Sequence, residues 1–467
     1  MELLQSSKEF KTFIPRESGP VTSSREDEIL KEVRNSPNPK IKVAVCDLDG
    51  TLRGKYIHKD KFFSTLQGGF GLCNVVFGWD IGDQAYDACD FTSWNTGFPD
   101  ATANLDLLTM RKVPWDNDVC FFLGDFDSDI CPRTILRRVK AEAAALGLSA
   151  SFGQEFEWFN FRENTEELSE RDFRKPRHLT PGMFGYSILR MAHNREFFNE
   201  IYDLLDRFRV PIEGLHTESG PGVLEAAILH ADVLESADRA ILFKTAVKEI
   251  GIRHGIMPTF MAKFNEKLPG CSGHLHQSLW KDGKNLFFDG GRENNMSPVM
   301  ESYIAGLLQC LPHILPMYAP TVNSYKRLVQ GAWAPTTLTW GIDNRTTAAR
   351  ALPISPKSAR IELRVVGADA NPYLAHAASL ASGLYGVKNK LRLTVPRSRG
   401  NGYLDTGNGV LPRNLSEATA RMKDSRLARE LFGDTFVDHF TYTRDWEWNL
   451  HQKAVTDWEH RSYFESI

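Results

Sequence analysis

Two glutamates stand two residues apart within a run of aromatic residues, in the segment "SFGQEFEWFNF". The segment has the composition of a strand, so Glu155 and Glu157 point to one face, because side chains alternate along a strand. Two neighbouring carboxylates in an apolar strand destabilise it unless a cation lies between them. The segment therefore predicts a cation site or, as the simpler alternative, an exposed strand face.

Two further segments offer groups of the same kind. In "HTESGPGVLEAAI", Glu218 and Glu225 flank a Gly-Pro-Gly turn that can bring their carboxylates to one spot, although the segment also fits an ordinary helix entry. In "GCSGHLHQSLW", His274 and His276 share one strand face after a glycine-rich turn that exposes backbone N–H groups. Each of these histidines is either a ligand or a structural residue of the strand.

The segment "SARIELRVV" alternates charged and apolar residues. Arg360, Glu362 and Arg364 fall on one face of the predicted strand, where they also fit a solvated ladder of salt bridges. Taken together, the segments supply five glutamates and one histidine suited to a pair of hard divalent ions, with arginines suited to carboxylate and phosphate. Such a set favours phosphoryl transfer.

The composition favours an enzyme that acts on small metabolites. The 467 residues are enough for two or three domains, and the formal net charge of -3 argues against a basic groove for nucleic acid. No signal peptide is recognisable and no apolar stretch reaches the roughly 18 residues that a membrane helix needs, so we expect a cytoplasmic protein with no membrane span. The seven cysteines are scattered singly without a CxxC pair, which is typical of reduced thiols.

The element pattern divides the chain into three parts. Residues 1–40 are polar around a short charged helix pattern, "REDEILKEVR", and are predicted to form a flexible arm. Residues 41–131 have the pattern of short strands and loops, whereas residues 132–467 alternate strands with long amphipathic helices. The helix patterns include "REFFNEIYDLLDRFRV", "ESADRAILFKTAVKEIGIRHG" and "SPVMESYIAGLLQCLPHILPMY".

Taken in order, the motifs resemble those of the glutamine synthetase superfamily over essentially the whole chain from Ile41 onward. They are "QEFEWF", "TESGPGVLE", "TFMAKF", "GCSGHLHQSLW", "NSYKRLVQGAWAP", "NRTTAARAL", "SPKSARIELRV" and "ADANPYLAHAASLASGLYG". The resemblance implies an α+β fold: a small N-terminal β-grasp domain and a catalytic domain whose antiparallel strands form a funnel surrounded by helices. It also implies active sites between the subunits of a ring, in a dodecamer of two hexamers.

By this resemblance, the metal ligands fall into two sets. The first metal site corresponds to Glu157, Glu218 and Glu225, and the second to Glu155, His274 and Glu362. The ions would be Mg²⁺ or Mn²⁺, two or more per site, and ATP would be a co-substrate.

The resemblance also assigns the residues that bind substrates. Arg327 and Arg364 correspond to the arginines that hold glutamate, with Gly270 beside them. Arg345 corresponds to the arginine that faces the transferred phosphoryl group. The positions around the ATP phosphates and adenosine correspond to His276, Ser278, Arg350, Lys357 and Arg360.

Three positions depart from the ammonia-using members of the family. Trp333, in "KRLVQGAWAP", replaces the flap glutamate that accepts a proton from ammonium. Trp79 lies where the neighbouring subunit would supply an aspartate, and Met183 replaces a tyrosine beside the ammonium. Ammonium needs polar groups to replace its water, whereas an alkyl or aryl amine needs room and apolar walls. The pattern resembles the gamma-glutamyl amine ligases of this superfamily, including the gamma-glutamylpolyamine synthetases.

Another motif suggests a different enzyme. The segment "CDLDGTLRG" follows the apolar run "IKVAV" and imitates the start of the haloacid-dehalogenase phosphatases, with Asp47 as the nucleophile. However, the following "KYIHKDKF" has the pattern of a strand and a turn rather than the helix that such a phosphatase needs, and no clear lysine motif is present. We therefore expect Asp47 to be structural.

The sequence thus predicts a ligase that acts on L-glutamate, ATP and an amine, with Arg345 and Trp333 at the reacting groups. The glutamate side-chain carboxylate would take the γ-phosphoryl group, and the amine would then displace phosphate. Two alternatives are a glutamine synthetase that uses ammonia and a non-catalytic structural relative. An acidic loop would either hold the far amine of a diamine or be simply solvated; its residues are Asp80, Asp83, Asp87 and Asp90.

Overall fold

The computed structural model describes residues 24–467. The predicted flexible arm, residues 1–40, lies partly outside this range. Its described part begins with helix α1 (Ser24–Asn35), in which Ile29 and Val33 are buried. These two residues are four apart and therefore share one helix face. Helix α1 is thus packed against the protein, which corrects the prediction of a flexible arm for this part of the chain.

The first sheet is small and mixed. Its strands are β1 (Lys40–Cys46), β2 (Leu52–His58), β3 (Phe70–Cys73), β4 (Asp100–Leu105), β5 (Arg111–Val113) and β6 (Val119–Phe126). The strand order is β2-β1-β6-β4-β3, and β5 also pairs with β6. Strands β1 and β6 are parallel, the other pairs are antiparallel, and helix α2 (Lys59–Thr65) buries Phe62. This arrangement is consistent with the predicted β-grasp domain.

The second sheet is large and almost entirely antiparallel. Its strands are β7 (Ser149–Phe161), β8 (Ile212–Thr217), β9 (Val223–Ile228), β10 (Ala231–Asp232), β11 (Met257–Thr259), β12 (Gly273–Lys281), β13 (Lys284–Asn285), β14 (Trp340–Ile342), β15 (Ala349–Leu352) and β16 (Arg360–Leu363). The main order is β14-β15-β16-β12-β7-β9-β8. Among the described residues of this sheet, only the β14–β15 pair is parallel. The sheet and the helices around it confirm the predicted α+β class.

The remaining helices belong to the part of the chain that contains the second sheet. They are α3 (Pro132–Ala145), α4 (Thr165–Ser169), α5 (Ile188–His193), α6 (Arg195–Arg207), α7 (Val233–Arg253), α8 (Pro298–Ile314), α9 (Ser324–Arg327), α10 (Pro372–Lys388), α11 (Leu415–Lys423), α12 (Arg426–Phe432), α13 (Asp434–Lys453) and α14 (Asp457–Tyr463). Helices α6, α7 and α8 confirm the three helix patterns predicted from the sequence. No helix within residues 24–467 combines the length and apolar character needed to cross a membrane.

Helices α8 and α10 cross in the core with their backbones in contact. A Cβ atom built on Gly306 of α8 would lie 2.2 Å from the carbonyl oxygen of Ser382, and one on Gly386 of α10 would lie 2.0 Å from that of Ser302. Any side chain at either glycine would separate the helices, because real Cβ atoms do not approach so closely. The two glycines therefore determine how closely helices α8 and α10 pack.

The turn after strand β1 explains the phosphatase-like motif. Asp47 is buried, and its Oδ1 accepts hydrogen bonds from the backbone N–H groups of Asp49 (3.0 Å) and Thr51 (2.8 Å). Its Oδ2 accepts a hydrogen bond from Nε of Arg53 at 2.8 Å. The chain then enters strand β2 rather than a helix. These contacts confirm the structural role expected for Asp47.

The same turn also contacts helices α10 and α13. The side-chain amide of Asn371, at the start of α10, donates hydrogen bonds to the carbonyl oxygens of Asp47 (2.9 Å) and Leu48 (3.2 Å). Arg444 of α13 forms a salt bridge with Asp49 at 2.5 Å. The motif "CDLDG" therefore connects the first sheet to helices α10 and α13.

Candidate active site

Strand β7 lies at the centre of the site, because it pairs with β12 on one side and with β9 on the other. Glu155 lies directly opposite His274 of β12, and Glu157 lies directly opposite Glu225 of β9. Opposed residues in an antiparallel pair point to the same face. The register therefore gathers charged side chains from three strands on one face, while the intervening Phe156 is buried on the other.

The same register extends this polar face toward both edges of the sheet. On β16, Glu362 pairs with His276 of β12 and with Arg350 of β15. At the other edge, His216 of β8 pairs with Glu225 of β9. The charged residues that occupy separate segments of the sequence thus belong to one continuous surface.

Glu155, His274 and Glu362 form one compact group. Each offers a ligand atom, and these atoms all lie within 4.8 Å of one another. Nδ1 of His274 lies 3.2 Å from Oε1 of Glu155 and 3.5 Å from Oε1 of Glu362. Its Nε2 is buried and has no hydrogen-bond partner among the described residues. A ring nitrogen between two carboxylates is a donor set that fits a divalent cation.

The carboxylates of this group are held in the ionised form. Burial raises the pKa of Glu155, but hydrogen bonds from His274 and His276 outweigh it and hold that pKa well below its usual value. Burial also raises the pKa of Glu362, yet the neighbouring His274 and Arg364 lead a set of groups that lowers it to about 2. Both side chains therefore carry the charge that a metal ligand needs at neutral pH.

His216, Glu218 and Glu225 form a second compact group, whose ligand atoms also lie within 4.8 Å of one another. Nε2 of His216 lies 3.8 Å from Oε1 of Glu225, and its Nδ1 lies 4.0 Å from Oε2 of Glu218. His216 was not among the predicted ligands of this group, whereas Glu157 was. Glu157 lies outside the group, and its Oε2 accepts a hydrogen bond from the backbone N–H of Ser272 at 2.6 Å.

His216 carried a signal that was available in the sequence. It precedes Glu218 by two residues in "LHTESG", and this spacing puts two side chains on the same face of an extended segment. Glu218 directly follows the last residue of strand β8. Only the pairing of β8 with β9 shows that this face meets Glu225.

Glu225 is the residue on which the other carboxylates of the site act most strongly. Burial, together with the carboxylates of Glu155, Glu157 and Glu218, raises its pKa to about 11. A divalent cation would relieve this repulsion, and carboxylate and imidazole are donors that Mg²⁺ and Mn²⁺ accept. The residues that fit such ions are Glu155, Glu157, His216, Glu218, Glu225, His274 and Glu362.

Gly270 lets the side chain of Arg327 pass close to the glycine-rich turn before β12. A Cβ atom at this position would lie 2.6 Å from the carbonyl oxygen of Ala262 and 2.7 Å from Cγ of Arg327. A larger residue would therefore displace either the backbone or the arginine. The structure thus brings together two of the residues predicted to bind glutamate.

Arg327 is fully buried, and its guanidinium group binds the end of strand β16. It donates to the carbonyl oxygens of Val365 and Arg364 and to Oγ of Ser272, each at 2.9 Å. Arg364 in turn donates from Nε to the carbonyl oxygen of Arg345 at 3.0 Å. Arg327, Arg364 and Arg345 are therefore linked in one hydrogen-bonded chain.

A cavity of about 400 Å³ opens beside Glu155. Four of the five residues predicted around ATP line it: His276, Ser278, Lys357 and Arg360. His230 and Trp280 line it as well and were not predicted. The fifth predicted residue, Arg350, does not line this cavity, because its guanidinium group forms salt bridges with Asp343 (2.5 Å) and Glu362 (2.7 Å).

A second cavity, of about 740 Å³, lies between Trp333 and Arg345, and we call it the flap cavity. The side chain of Trp333 is 62% exposed. Its backbone has a φ of 57°, in the left-handed region that bulky residues rarely adopt. The loop therefore holds a broad apolar surface at the edge of the cavity beside a cationic group.

The other two residues predicted for the amine pocket lie elsewhere in this chain. The ring of Trp79 lies under the guanidinium group of Arg53, which is 4.8 Å from the ring centroid. Met183 lies in an exposed loop, and neither residue lines the flap cavity. The same loop brings Tyr186, which was not predicted from the sequence, onto the ring of His216 with centroids 4.5 Å apart.

Comparisons with known proteins agree over most of the chain. The sequence model of a family described as "Glutamine synthetase, catalytic domain" matches residues 129–463. A protein named type-1 glutamine synthetase 2, from Dictyostelium discoideum, is 49% identical over 95% of this chain and 87% of its own length. A glutamate–isopropylamine ligase from Pseudomonas sp is 33% identical, with 91% of this chain and 95% of that protein covered.

A further relative and a solved structure also match over most of the chain. A gamma-glutamylethanolamide synthetase, GlnA4 from Streptomyces coelicolor, is 35% identical, with 91% of this chain and 92% of that protein covered. Among solved structures, a GmaS/ADP complex is similar with a TM-score of 0.81 and 27% identity, and the match covers 93% of this chain and 99% of that chain.

Proposed function

The chain belongs to the glutamine synthetase family, and from that premise we propose that it is an ATP-dependent ligase that joins the γ-carboxylate of L-glutamate to an amine larger than ammonia. The observation that carries the proposal is Trp333, which stands beside Arg345 on the flap cavity where ammonia-using relatives are expected to carry a glutamate. The names of two relatives, an isopropylamine ligase and an ethanolamide synthetase, support the same interpretation. The amine would be a polyamine, an alkylamine or an arylamine.

The reaction has two steps. An oxygen of the glutamate side-chain carboxylate attacks the γ-phosphorus of ATP and releases ADP, which leaves γ-glutamyl phosphate. The amine nitrogen then attacks the acyl carbon, phosphate leaves, and the nitrogen loses a proton. Mg²⁺ or Mn²⁺ ions held by the two carboxylate and histidine groups would neutralise charge on the phosphate oxygens.

The residues of the chain have separate parts in this scheme. Arg345 stabilises negative charge on the transferred phosphoryl group, as its place on the flap cavity and its hydrogen bond from Arg364 support. Arg364 and Arg327, linked to Arg345 through Arg364, hold the glutamate. The cavity beside Glu155 receives ATP, with His276, Ser278, Lys357 and Arg360 along its wall and Arg350 steadying Glu362.

Trp333 decides the amine in this proposal. It removes the carboxylate that would accept a proton from ammonium and replaces it with an apolar face. We extend the pocket to Met183 and to Trp79 of a neighbouring subunit, which requires a homo-oligomer, in our proposal a dodecamer of two hexameric rings. The setting would be the cytoplasm, in keeping with seven cysteines that are all free thiols.

A second candidate is a glutamine synthetase that uses ammonia, because the relative from Dictyostelium discoideum carries that name at 49% identity. One assay separates the possibilities. ATP hydrolysis is measured with glutamate and either ammonium or a panel of amines. Faster turnover with an amine supports the proposal, faster turnover with ammonium supports the second candidate, and no turnover with either indicates a relative without catalytic activity.

A further inference from the structure

The flap cavity is lined by three arginines. Besides Trp333 and Arg345, its wall contains Arg397 and Arg399, which come from the loop after helix α10. This loop was not part of any predicted site. Its two guanidinium groups add positive charge to the wall of the cavity.

Little negative charge offsets these arginines. Asp343 is the one carboxylate among the residues of the lining, and it already forms a salt bridge with Arg350 at 2.5 Å. Arg397 donates a hydrogen bond to the neutral side chain of Asn294 at 3.1 Å. Within residues 24–467, neither Arg345 nor Arg399 has an ion-pair partner. The cavity is therefore cationic, with apolar surface at Trp333 and Ile342.

In the acidic loop between strands β3 and β4, Asp80 and Asp83 are already bound within the chain. Asp83 forms a salt bridge with Arg53 at 2.8 Å. Asp80 accepts a hydrogen bond from the indole N–H of Trp446 at 2.9 Å and two more from backbone N–H groups of its own turn. These contacts hold the turn, so two of the four aspartates considered for the far end of a diamine are already engaged.

From this charge distribution we infer that the enzyme selects its amine by charge, taking monoamines with an uncharged substituent and rejecting polyamines. The inference rests on the proposed function and narrows its substrate class. A substituent that extends past Trp333 enters the flap cavity. An aliphatic diamine is protonated at both ends at neutral pH, because its amines titrate near the lysine value of about 10. Its second ammonium group would face three guanidinium groups.

The test compares two amines of equal length, butylamine and its diamine counterpart putrescine. Initial rates of ATP hydrolysis are measured with saturating glutamate and either amine, at low and at high ionic strength. We expect kcat/KM for butylamine to exceed that for putrescine by at least about tenfold at low ionic strength, since like charges brought together disfavour the wrong partner. The difference should shrink at high ionic strength, because salt screens charge but not shape.

Substitution of the cavity arginines tests whether putrescine is rejected by its charge or by its shape. Arg397→Gln and Arg399→Gln should each raise kcat/KM for putrescine relative to that for butylamine. Arg392→Gln is the matched control: it removes the same charge from an exposed position in the same segment that does not line the cavity. This control should leave the ratio as it is.

The outcomes distinguish this inference from the proposed function. If putrescine is used as well as butylamine at low ionic strength, or if neither salt nor the two arginine substitutions changes the ratio, charge selection is wrong although the ligase function stands. If neither amine supports ATP turnover while ammonium does, the proposed function fails and the inference fails with it.

Discussion

Glu157 and Glu225 lie directly opposite each other on antiparallel strands β7 and β9. Opposed like charges destabilise a sheet, and here they share one face with Glu155 and Glu218 nearby. The fold therefore holds together a set of carboxylates that repel one another in the absence of a cation. This repulsion is the physical basis of the proposed metal requirement.

Divalent cations should stabilise the protein. Mg²⁺ or Mn²⁺ should raise the melting temperature relative to EDTA, since a ligand at a hundredfold excess over its Kd adds about 2.7 kcal/mol. Glu225→Gln should melt at a higher temperature than the unmodified protein in EDTA and respond less to the cation. Glu266→Gln, at an exposed loop position, is the control and should behave like the unmodified protein. Identical melting of all three proteins with and without cation would contradict the assignment.

Glu157→Ala should abolish phosphoryl transfer without disturbing assembly. The substitution removes one carboxylate from the polar face but leaves the buried aromatic side of β7 unchanged. Activity is followed as glutamate-dependent ATP hydrolysis, and assembly is followed by light scattering. Unchanged turnover in a correctly assembled variant would show that Glu157 is not a metal ligand.

Gly270→Ala should impair glutamate binding. The added Cβ would meet Cγ of Arg327 at 2.7 Å and should displace this side chain from its contacts. We expect KM for glutamate to rise at least about tenfold, the size expected for loss of a hydrogen bond to a charged group, with a smaller change in KM for ATP. Gly68→Ala is the control, because nothing lies within 4 Å of its built Cβ. A folded Gly270→Ala enzyme with an unchanged KM for glutamate would argue against Arg327 as a glutamate ligand.

The contact between helix α13 and the first sheet should weaken in acid. His439 is buried, with Nδ1 2.8 Å from Sγ of Cys89 and Nε2 2.9 Å from the carbonyl oxygen of Phe77. Burial lowers its pKa from 6.5 to about 4. The unfolded chain therefore binds a proton before the folded one does, so stability is lost as pH falls from about 6.5 toward 4, by on the order of 3 kcal/mol.

The measurement is urea unfolding at a series of pH values. In His439→Gln the loss of stability between pH 7 and pH 5 should be smaller, although not absent, because burial also lowers the pKa of His376 to about 4. Equal pH dependence in the variant and the unmodified protein would show that protonation of His439 does not weaken the contact between helix α13 and the first sheet.

The sequence predicted those features that depend on local alternation. The spacing of Glu155 and Glu157, and of Arg360, Glu362 and Arg364, was enough to assign shared faces, and ordered motifs were enough for the fold class. Register was not predictable, because nothing local specifies that His216 meets Glu225 or that Arg350 meets Glu362.

The sequence also did not predict which short elements and single side chains are buried. A short charged helix such as α1 has the same composition whether it is free or packed, and only its contacts show that Ile29 and Val33 are covered. The placement of Trp79 under Arg53 depends in the same way on contacts between distant segments.

The central claim is that Trp333 makes this enzyme prefer larger amines to ammonia. Its most direct test is the ratio of kcat/KM for isopropylamine to that for ammonium, measured for the unmodified enzyme and for Trp333→Glu. We predict that the unmodified enzyme favours the amine by about ten- to a hundredfold, because ammonium lacks a charge-assisted hydrogen bond worth about 1.5 to 3 kcal/mol, and that Trp333→Glu moves the ratio toward ammonium. If the unmodified enzyme forms glutamine from ammonium faster than it uses any amine in a broad panel, the claim is contradicted and the protein is a glutamine synthetase.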